Sequence, residues 1–188
     1  MRIAGGKYKG RTFNPGKSFQ ARPTTDLAKE SLFNILNNRI DFSDTKVLDL
    51  FAGTGSISYE FLSRGCTDIT MVELNFKHLQ FIKSVLNTIN EKASVYRADV
   101  FRYLKNCHTQ FDLVFADPPF DHSRLAELPE FILSKNILAP RGMLIVEHPS
   151  AFNFSKLQGF HELRKYGKVH FSFFLESENQ TSDLLEEN

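Results

Sequence analysis

The chain has 188 residues, 41% of them hydrophobic and 24% charged, with a formal net charge of +1, which predicts one globular domain with a sizeable core. No apolar run approaches the roughly 20 residues that a membrane-spanning helix needs, so we expect no membrane partner. Cys66 and Cys107 lack C-x-x-C spacing, and the histidines lack the spacing of a metal site. The opening residues are charged without an apolar core behind them, so we expect a cytoplasmic protein with reduced thiols and no metal.

The two ends of the chain carry opposite charges. No acidic residue lies between positions 1 and 25, and the basic residues there are Arg2, Lys7, Lys9, Arg11, Lys17 and Arg22. Such a segment favours a polyanion as partner, although a merely solvated surface is the plain alternative. From position 176 onward the charged residues are all acidic. We therefore expect a basic extension at 1–24, a main domain at 25–176 and a solvated, disordered tail at 177–188.

Two local patterns precede the first predicted strand. Glycines at positions 5, 6, 10 and 16, interspersed with aromatic residues, predict a hairpin or two outside the main core. A helix is predicted next, because Thr24, Thr25 or Asp26 can cap its first turn. The apolar face of this helix would hold Ala28, Leu32, Ile35 and Leu36.

From Lys46 onward, strand and helix patterns alternate. Strands are predicted at Lys46–Phe51, Ile69–Glu73, Ser94–Ala98, Phe111–Ala116 and Met143–Glu147, and helices at Ser56–Arg64, Phe76–Asn90, Val100–Lys105 and within Ser123–Lys135. This alternation predicts an α/β fold with a parallel, doubly wound sheet. The end of the chain differs, because Glu162–Tyr166 and Val169–Leu175 resemble two consecutive strands joined near Gly167. We expect these two strands to form an antiparallel hairpin on the sheet.

A glycine turn follows the first predicted strand, in the sequence V-L-D-L-F-A-G-T-G-S. Gly53 and Gly55 would let backbone N–H groups approach a ligand at the carboxyl edge of the sheet. They match the first two glycines of a dinucleotide fingerprint, but Ser58 occupies the third position. Because a tight strand-to-helix turn needs glycine in any case, the turn alone does not identify a ligand.

Three acidic residues extend this cofactor pattern. Glu73 closes the second strand about 20 residues after Gly53, where a doubly wound fold holds a carboxylate for ribose hydroxyls. Asp99 follows the third strand, where it could meet an adenine amino group or simply cap a helix. Together with Asp49, these carboxylates would repel a pyrophosphate but attract a sulfonium and an ammonium group. The pattern therefore favours S-adenosylmethionine over NAD.

The fourth predicted strand ends on Asp117-Pro118-Pro119-Phe120. A residue before proline favours extended conformations, and proline has no N–H, so this loop should project acceptors with few competing donors. The Asp117 carboxylate and the Pro118 carbonyl could hold both hydrogens of an exocyclic amine and turn its lone pair toward a methyl group. Phe120 would then stack on the base. A plain turn is the alternative, which the position after the fourth strand of a chain with this glycine turn disfavours.

These motifs resemble the class I S-adenosylmethionine-dependent methyltransferases that modify exocyclic amines, whose shared tetrapeptide is Asn/Asp/Ser-Pro-Pro-aromatic. The similarity is closer to one family within the class, the RsmD family, which methylates N2 of one guanosine in bacterial 16S ribosomal RNA. The stretches that carry it are R-I-A-G-G-K-Y-K-G-R, R-P-T-T-D-L-A-K-E-S-L-F-N, D-L-F-A-G-T-G-S, A-D-P-P-F and K-Y-G-K-V. The resemblance covers nearly the whole chain up to about Glu176. Phe120 departs from the tyrosine common in the wider class, and the acidic tail has no assigned family role.

The resemblance implies a seven-stranded, mostly parallel Rossmann-like sheet with an antiparallel last strand. It implies catalysis by Asp117, Pro118, Pro119 and Phe120, and contacts to S-adenosylmethionine, with S-adenosylhomocysteine as product, from Asp49, Phe51, Gly53, Gly55, Glu73, Leu74, Asp99 and Val100. Arg22 and Thr24 would close over the cofactor. The basic extension would bind 16S rRNA, free or in the assembled small ribosomal subunit, through Arg2, Lys7, Lys9 and Arg11.

Several other functions share part of this pattern. The same loop chemistry serves N6 of adenine in DNA, but such enzymes usually carry a target-recognition domain for which 188 residues leave little room. A glutamine side-chain amide is another amine target of the class. A non-catalytic nucleotide-binding module would not need the Asp117–Phe120 loop. An NAD dehydrogenase would need the third glycine and a hydride-handling histidine–acid pair, and the sequence offers neither.

Overall fold

A seven-stranded sheet with helices on both faces forms the body of the molecule in the computed structural model, which describes residues 1–16 and 25–176. The helices are α1 Asp26–Leu36, α2 Ser56–Ser63, α3 Phe76–Ile89, α4 Val100–Lys105 and α5 Leu128–Leu133. The strands are β1 Lys46–Leu50, β2 Asp68–Glu73, β3 Ser94–Arg97, β4 Phe111–Ala116, β5 Leu138–His148, β6 Phe160–Tyr166 and β7 Val169–Leu175. Short 3-10 turns lie at Gly6–Tyr8 and Leu125–Glu127.

The strand order is β3-β2-β1-β4-β5-β7-β6. Strands β1 to β5 pair in parallel, whereas β7 runs antiparallel to both β5 and β6. This topology confirms the prediction of a doubly wound sheet with an antiparallel last strand. The order reverses between β1 and β4, and ligands of such sheets bind in the crevice outside the carboxyl ends at that point.

The central strands separate two apolar clusters. Alternate residues of β1 point to opposite faces, so Val47 packs with α1, α2 and α3 while Leu48 and Leu50 pack with α4 and α5. Burial on both faces explains why these strands are nearly continuous apolar runs. Helix α1 begins at its cap, Thr25, whose side chain accepts a hydrogen bond from the Ala28 amide at 3.2 Å.

Strand β5 begins five residues earlier than the predicted Met143. Its first part pairs with the start of β4 through a hydrogen bond from the Phe111 amide to the Ile137 carbonyl (2.8 Å), and the register then shifts before Leu113. Arg141, with a φ of 65°, lies at this irregularity. Pro140 and Gly142 are poor strand residues, which is why the sequence pattern does not extend the strand across them.

The basic head, residues 1–16, differs from the expected hairpin outside the core. Its strand pairing is a single isolated antiparallel bridge between Arg2 and Thr12. Ile3 is only 1% exposed and belongs to the core cluster of α1, α2 and α3. Gly6, with a φ of 71°, lies so close to α2 that a Cβ there would be 1.9 Å from the Ser63 carbonyl oxygen. The head is therefore docked onto the domain.

Two buried charges hold the head in place. Lys29 of α1 and Glu60 of α2 form an ion pair at 3.1 Å, with 2% and 0% of their side chains exposed. Lys29 also donates to the Arg2 carbonyl, and Glu60 accepts from the Ala4 amide at 2.6 Å. Arg64 forms a second ion pair with Glu60. Because both buried charges also bond to backbone groups of the head, the docked head supplies part of their hydrogen bonding.

Within residues 1–16 and 25–176, none of the helices has the length and apolarity that a membrane crossing requires. The same residues contain no group of three or more His, Cys, Asp or Glu side chains suited to a metal ion.

Candidate active site

A cavity of about 860 Å³ opens at the carboxyl ends of the parallel strands. It lies at the β1–β4 reversal, because the turn after β1 and the loop after β4 both line it. Its lining residues are Phe51, Gly53, Glu73, Leu74, Asn75, His78, Ala98, Asp99, Val100, Asp117, Pro118, Pro119, Phe120, Asp121, His122, Glu147 and Val169. The cavity thus joins the predicted cofactor elements and the predicted catalytic loop in one site.

The glycine turn forms one wall of the cavity. Phe51, Gly53 and Gly55 have positive φ angles of 60°, 55° and 82°, which bend the chain sharply from β1 into α2. A Cβ on Gly53 would meet only the Phe51 carbonyl oxygen, at 3.8 Å, so backbone there faces open space. The turn thus presents main chain to the cavity, as predicted.

Glu73, at the end of β2, is bonded to this turn. Its Oε2 accepts from the Gly53 amide at 2.8 Å and its Oε1 from the Asn75 amide at 2.6 Å. The residue is 8% exposed. A carboxylate has about four lone-pair positions, so these two bonds do not use its full capacity to accept, and His78 Nδ1 also lies 3.6 Å from Oε1. These bonds fix the orientation of a carboxylate that faces the cavity.

Asp99 combines the two roles that its sequence position allows. It is the cap of α4, because its side chain accepts from the Arg102 amide at 2.9 Å, and it also lines the cavity. Apolar residues Phe51, Leu74, Ala98 and Val100 line the cavity beside it. This part of the cavity wall is therefore apolar beside the Asp99 carboxylate.

The Asp117–Phe120 loop is tied to the strands that it follows. The Asp117 amide donates to the Leu50 carbonyl of β1 at 3.3 Å, and the His122 amide donates to the Pro119 carbonyl at 2.8 Å. The His122 ring contacts the Phe51 ring, with centroids 5.5 Å apart. The start of the loop is therefore bonded to the end of β1, and the residue His122 just after the loop contacts Phe51 of the glycine turn. All four residues of the loop line the cavity.

Asp49 and Gly55 do not line the cavity. Asp49 is 1% exposed and accepts a hydrogen bond from the Ser58 hydroxyl at 2.6 Å, on the α2 side of the sheet. Burial raises the pKa of Asp49 to about 7, with the Ser58 hydrogen bond opposing this effect and the nearby Glu73 charge adding to it. Gly55 lies against Tyr59, whose hydroxyl oxygen would be 2.6 Å from an added Cβ. Both residues support the turn from behind.

The cavity is strongly acidic. Besides Glu73, Asp99 and Asp117, its wall includes Asp121 and Glu147, and none of the described lining residues is a lysine or arginine. This composition opposes a pyrophosphate and suits a cationic ligand. The motif search missed Asn75, His78, Asp121, His122 and Glu147. Glu147 lies near the end of β5 and Asn75 lies two residues after β2, positions similar to those of Glu73 and Asp117, whereas His78, Asp121 and His122 lie further from a strand end and carry no such signal.

The predicted RNA-contact residues differ in their surroundings. Arg2 forms ion pairs with Asp26 at 3.2 Å and Glu30 at 2.6 Å, and Lys7 pairs with Glu91 at 2.5 Å. Burial raises the pKa of Glu91, but hydrogen bonds from Lys7 and Tyr8 outweigh this and lower it overall. Lys9 and Arg11 are exposed, and the Arg11 guanidinium lies 5.2 Å from the centre of the Tyr8 ring.

The head also contacts the glycine turn. The Met1 sulfur lies 3.7 Å from the hydroxyl of Thr54, the residue after Gly53. Arg22 and Thr24, predicted to close over the cofactor, lie outside the described residues. The predicted tail at 177–188 does so as well.

Comparison with known proteins gives the same picture over most of the chain. A solved structure of Escherichia coli yhhF is 28% identical, covers 95% of this chain and 99% of its own, and superimposes with a TM-score of 0.82. The fold is shared with Thermus thermophilus 16S rRNA N2 G1207 methyltransferase (RsmC), solved with AdoMet and guanosine, at 19% identity and a TM-score of 0.66. This match covers 84% of this chain and 45% of that one.

Other relatives are more similar in sequence than these two solved structures. Ribosomal RNA small subunit methyltransferase D of Haemophilus influenzae is 36% identical over 152 residues, which cover 78% of each protein. The family model described as "Conserved hypothetical protein 95" matches residues 1–175. The chain therefore belongs to this family, that of the ribosomal RNA small subunit methyltransferases D.

Proposed function

We propose that this protein transfers a methyl group from S-adenosylmethionine to the N2 amine of a guanosine in 16S ribosomal RNA. The observation that carries the proposal is that the Asp117–Phe120 loop lines the same cavity as Gly53 and Glu73. The name of the Haemophilus influenzae relative supports ribosomal RNA of the small subunit as the substrate.

The residues present fit the cofactor. Glu73 keeps capacity to accept from ribose hydroxyls, and the apolar wall beside Asp99 suits an adenine ring whose amine would meet that carboxylate. The acidic wall attracts the positive charges of the sulfonium and ammonium groups. When bound, the cofactor supplies an electrophilic methyl carbon and leaves as S-adenosylhomocysteine.

The loop positions the amine that accepts this methyl group. The Asp117 carboxylate and the Pro118 carbonyl each accept one N2 hydrogen, which directs the nitrogen lone pair out of the base plane. As the N–C bond forms and the C–S bond breaks, N2 becomes positive and then releases a proton along its hydrogen bond to Asp117. A preorganised charge of this kind contributes roughly 10²–10³ in rate. Phe120 stacks on the base, worth about 1–3 kcal/mol.

The substrate binds from the side of the basic head. Lys9 and Arg11 are among its exposed cations, and the acidic cavity repels phosphates, so a single base enters while the RNA backbone stays outside. The partner is 16S rRNA, free or within the assembled small subunit, and the reaction takes place in the cytoplasm. Adenine N6 in DNA is not favoured, because the Haemophilus influenzae relative is named for ribosomal RNA.

Transfer of label tests the proposal. Radiolabelled S-adenosylmethionine is supplied with unmodified small ribosomal subunits, and the RNA is digested to nucleosides. We expect the label in N2-methylguanosine. Label in another nucleoside, or none in RNA, would contradict the proposed function.

Replacing Asp117 tests the mechanism separately. Asp117→Ala should reduce the transfer rate at least about 100-fold while S-adenosylhomocysteine still binds, because the cofactor elements stay intact. Calorimetry measures the binding. Near-normal turnover by this variant would show that the carboxylate is not required.

A further inference from the structure

We propose that Glu147 recognises the target base, because its carboxylate accepts a hydrogen bond from the N1–H of guanine. This inference rests on the proposed function, because it concerns the base whose amine lies at Asp117. It assigns the choice among nucleobases to one residue outside the Asp-Pro-Pro-Phe loop.

Glu147 is a neighbour of Asp117 at the edge of the sheet. Ala116, the last residue of β4, pairs with Val146 of β5 in parallel register. Asp117 follows Ala116 and Glu147 follows Val146, so the two carboxylates are neighbours. Both line the cavity, and Glu147 is 3% exposed. Adjacent strands lie about 4.8 Å apart, so one planar base can contact both carboxylates along a single edge.

The chemistry of that edge distinguishes the bases. Guanine, adenine and cytosine all carry an exocyclic amine, so Asp117 and Pro118 alone cannot tell them apart. In guanine one of the two ring nitrogens beside the amine, N1, carries a hydrogen, whereas in adenine and cytosine the ring nitrogen beside the amine carries a lone pair. An ionised carboxylate can only accept hydrogen bonds, so in that form Glu147 attracts guanine and repels the lone pair of the other two.

Burial makes this discrimination strong. Little water reaches a carboxylate that is 3% exposed, so a mismatched lone pair cannot be relieved by solvent. A site built to hydrogen-bond one group rejects an analogue that lacks it far more strongly than an apolar pocket does. A carboxylate with a purely structural role at the β5 edge would have no effect on the choice of base.

A substrate analogue without the N1 hydrogen tests how much that hydrogen contributes to methyl transfer. Small-subunit RNA is assembled with either guanosine or 2-aminopurine ribonucleoside at the nucleotide that acquires label in the transfer experiment. 2-Aminopurine keeps the 2-amine, but its N1 carries a lone pair and it lacks O6. For the wild type we expect kcat/KM at least about 100-fold lower on the 2-aminopurine RNA.

The variant Glu147→Gln completes the test. Its amide group can donate to an unprotonated N1, so the guanosine-to-2-aminopurine ratio should fall at least about 10-fold below that of the wild type. The loss of O6 affects both enzymes and cancels in this comparison. Glu130→Gln, an exposed carboxylate of α5, is the matched control and should keep the wild-type ratio.

Two results would overturn the assignment. One is equal turnover of both RNAs by the wild type, which decides the matter even if Glu147→Gln does not fold. The other is an unchanged ratio in a Glu147→Gln variant that still binds S-adenosylhomocysteine. A wild type that forms no N2-methylguanosine would defeat the proposed function instead, so the two failures are distinguishable.

Discussion

Removing the charge of Asp49 should stabilise the protein at neutral and alkaline pH. Asp49 is buried behind the glycine turn, and burial raises its pKa from 3.8 to about 7. Between these values the folded state holds a proton that the unfolded state has released. Stability from this group therefore falls as the pH rises from about 4 to about 7, because the folded state binds more protons.

The size of the effect follows from the same two values. One pKa step corresponds to about 1.4 kcal/mol, so the interval from 3.8 to about 7 sets a ceiling of about 4 kcal/mol. Asp49→Asn removes this penalty and keeps an oxygen to accept the Ser58 hydrogen bond. The free energy of unfolding of the variant should therefore exceed that of the wild type by an amount that increases with pH and reaches a few kcal/mol at pH 8.

Urea unfolding at pH 4 to pH 8 measures the difference. Burial lowers the pKa of His148 and of His170, so these residues destabilise the fold as the pH falls below about 6.5. Their contribution has the opposite slope but cancels between wild type and variant. Asp44→Asn, which removes an exposed carboxylate, is the control. A difference between variant and wild type that is flat, or a stability advantage of the variant that grows toward low pH, would refute the reasoning.

Three further predictions concern the head. Replacing Lys7, Lys9 and Arg11 by glutamine should weaken RNA binding and flatten its dependence on salt concentration by a slope of about 2; an unchanged slope would show that RNA binds elsewhere. Lys29→Met leaves the Glu60 charge buried with fewer partners and should cost about 3 kcal/mol in urea unfolding, whereas the exposed Lys77→Met should cost little. Gly6→Ala should destabilise more than Gly10→Ala, because both have positive φ but only Gly6 lies against the Ser63 backbone; equal losses would mean that strain alone matters.

The regular elements were largely predictable from the sequence. Helix α4 and strands β4 and β7 have the predicted bounds, and most other ends differ by one or two residues. Local patterns suffice there because apolar periodicity is set by burial on the two sheet faces. Strand β5 was the exception, since Pro140 and Gly142 hide a pairing that depends on the neighbouring strand.

Long-range contacts were beyond the sequence patterns. Nothing local shows that Lys29 and Glu60 are buried, because charged side chains are expected in water unless a distant partner pairs with them. The same holds for Ile3, whose burial depends on α2. In the site, the motifs identified Glu73 and the Asp117–Phe120 loop, but they placed Asp49 with the cavity although its side chain turns to Ser58.

The docking of the head has a consequence for biosynthesis. Ala4 bonds to Glu60, 56 positions later, and Tyr8 bonds to Glu91, 83 positions later. At about 5–20 residues per second, the partner of Tyr8 is made roughly 4 to 17 s after it. During that interval residues 1–16 lack the contact between Tyr8 and Glu91, although the partners of Arg2 and Ala4 are made before the interval ends. The segment proposed to meet RNA thus completes its contacts with the domain only after residue 91 of the 188 has been made.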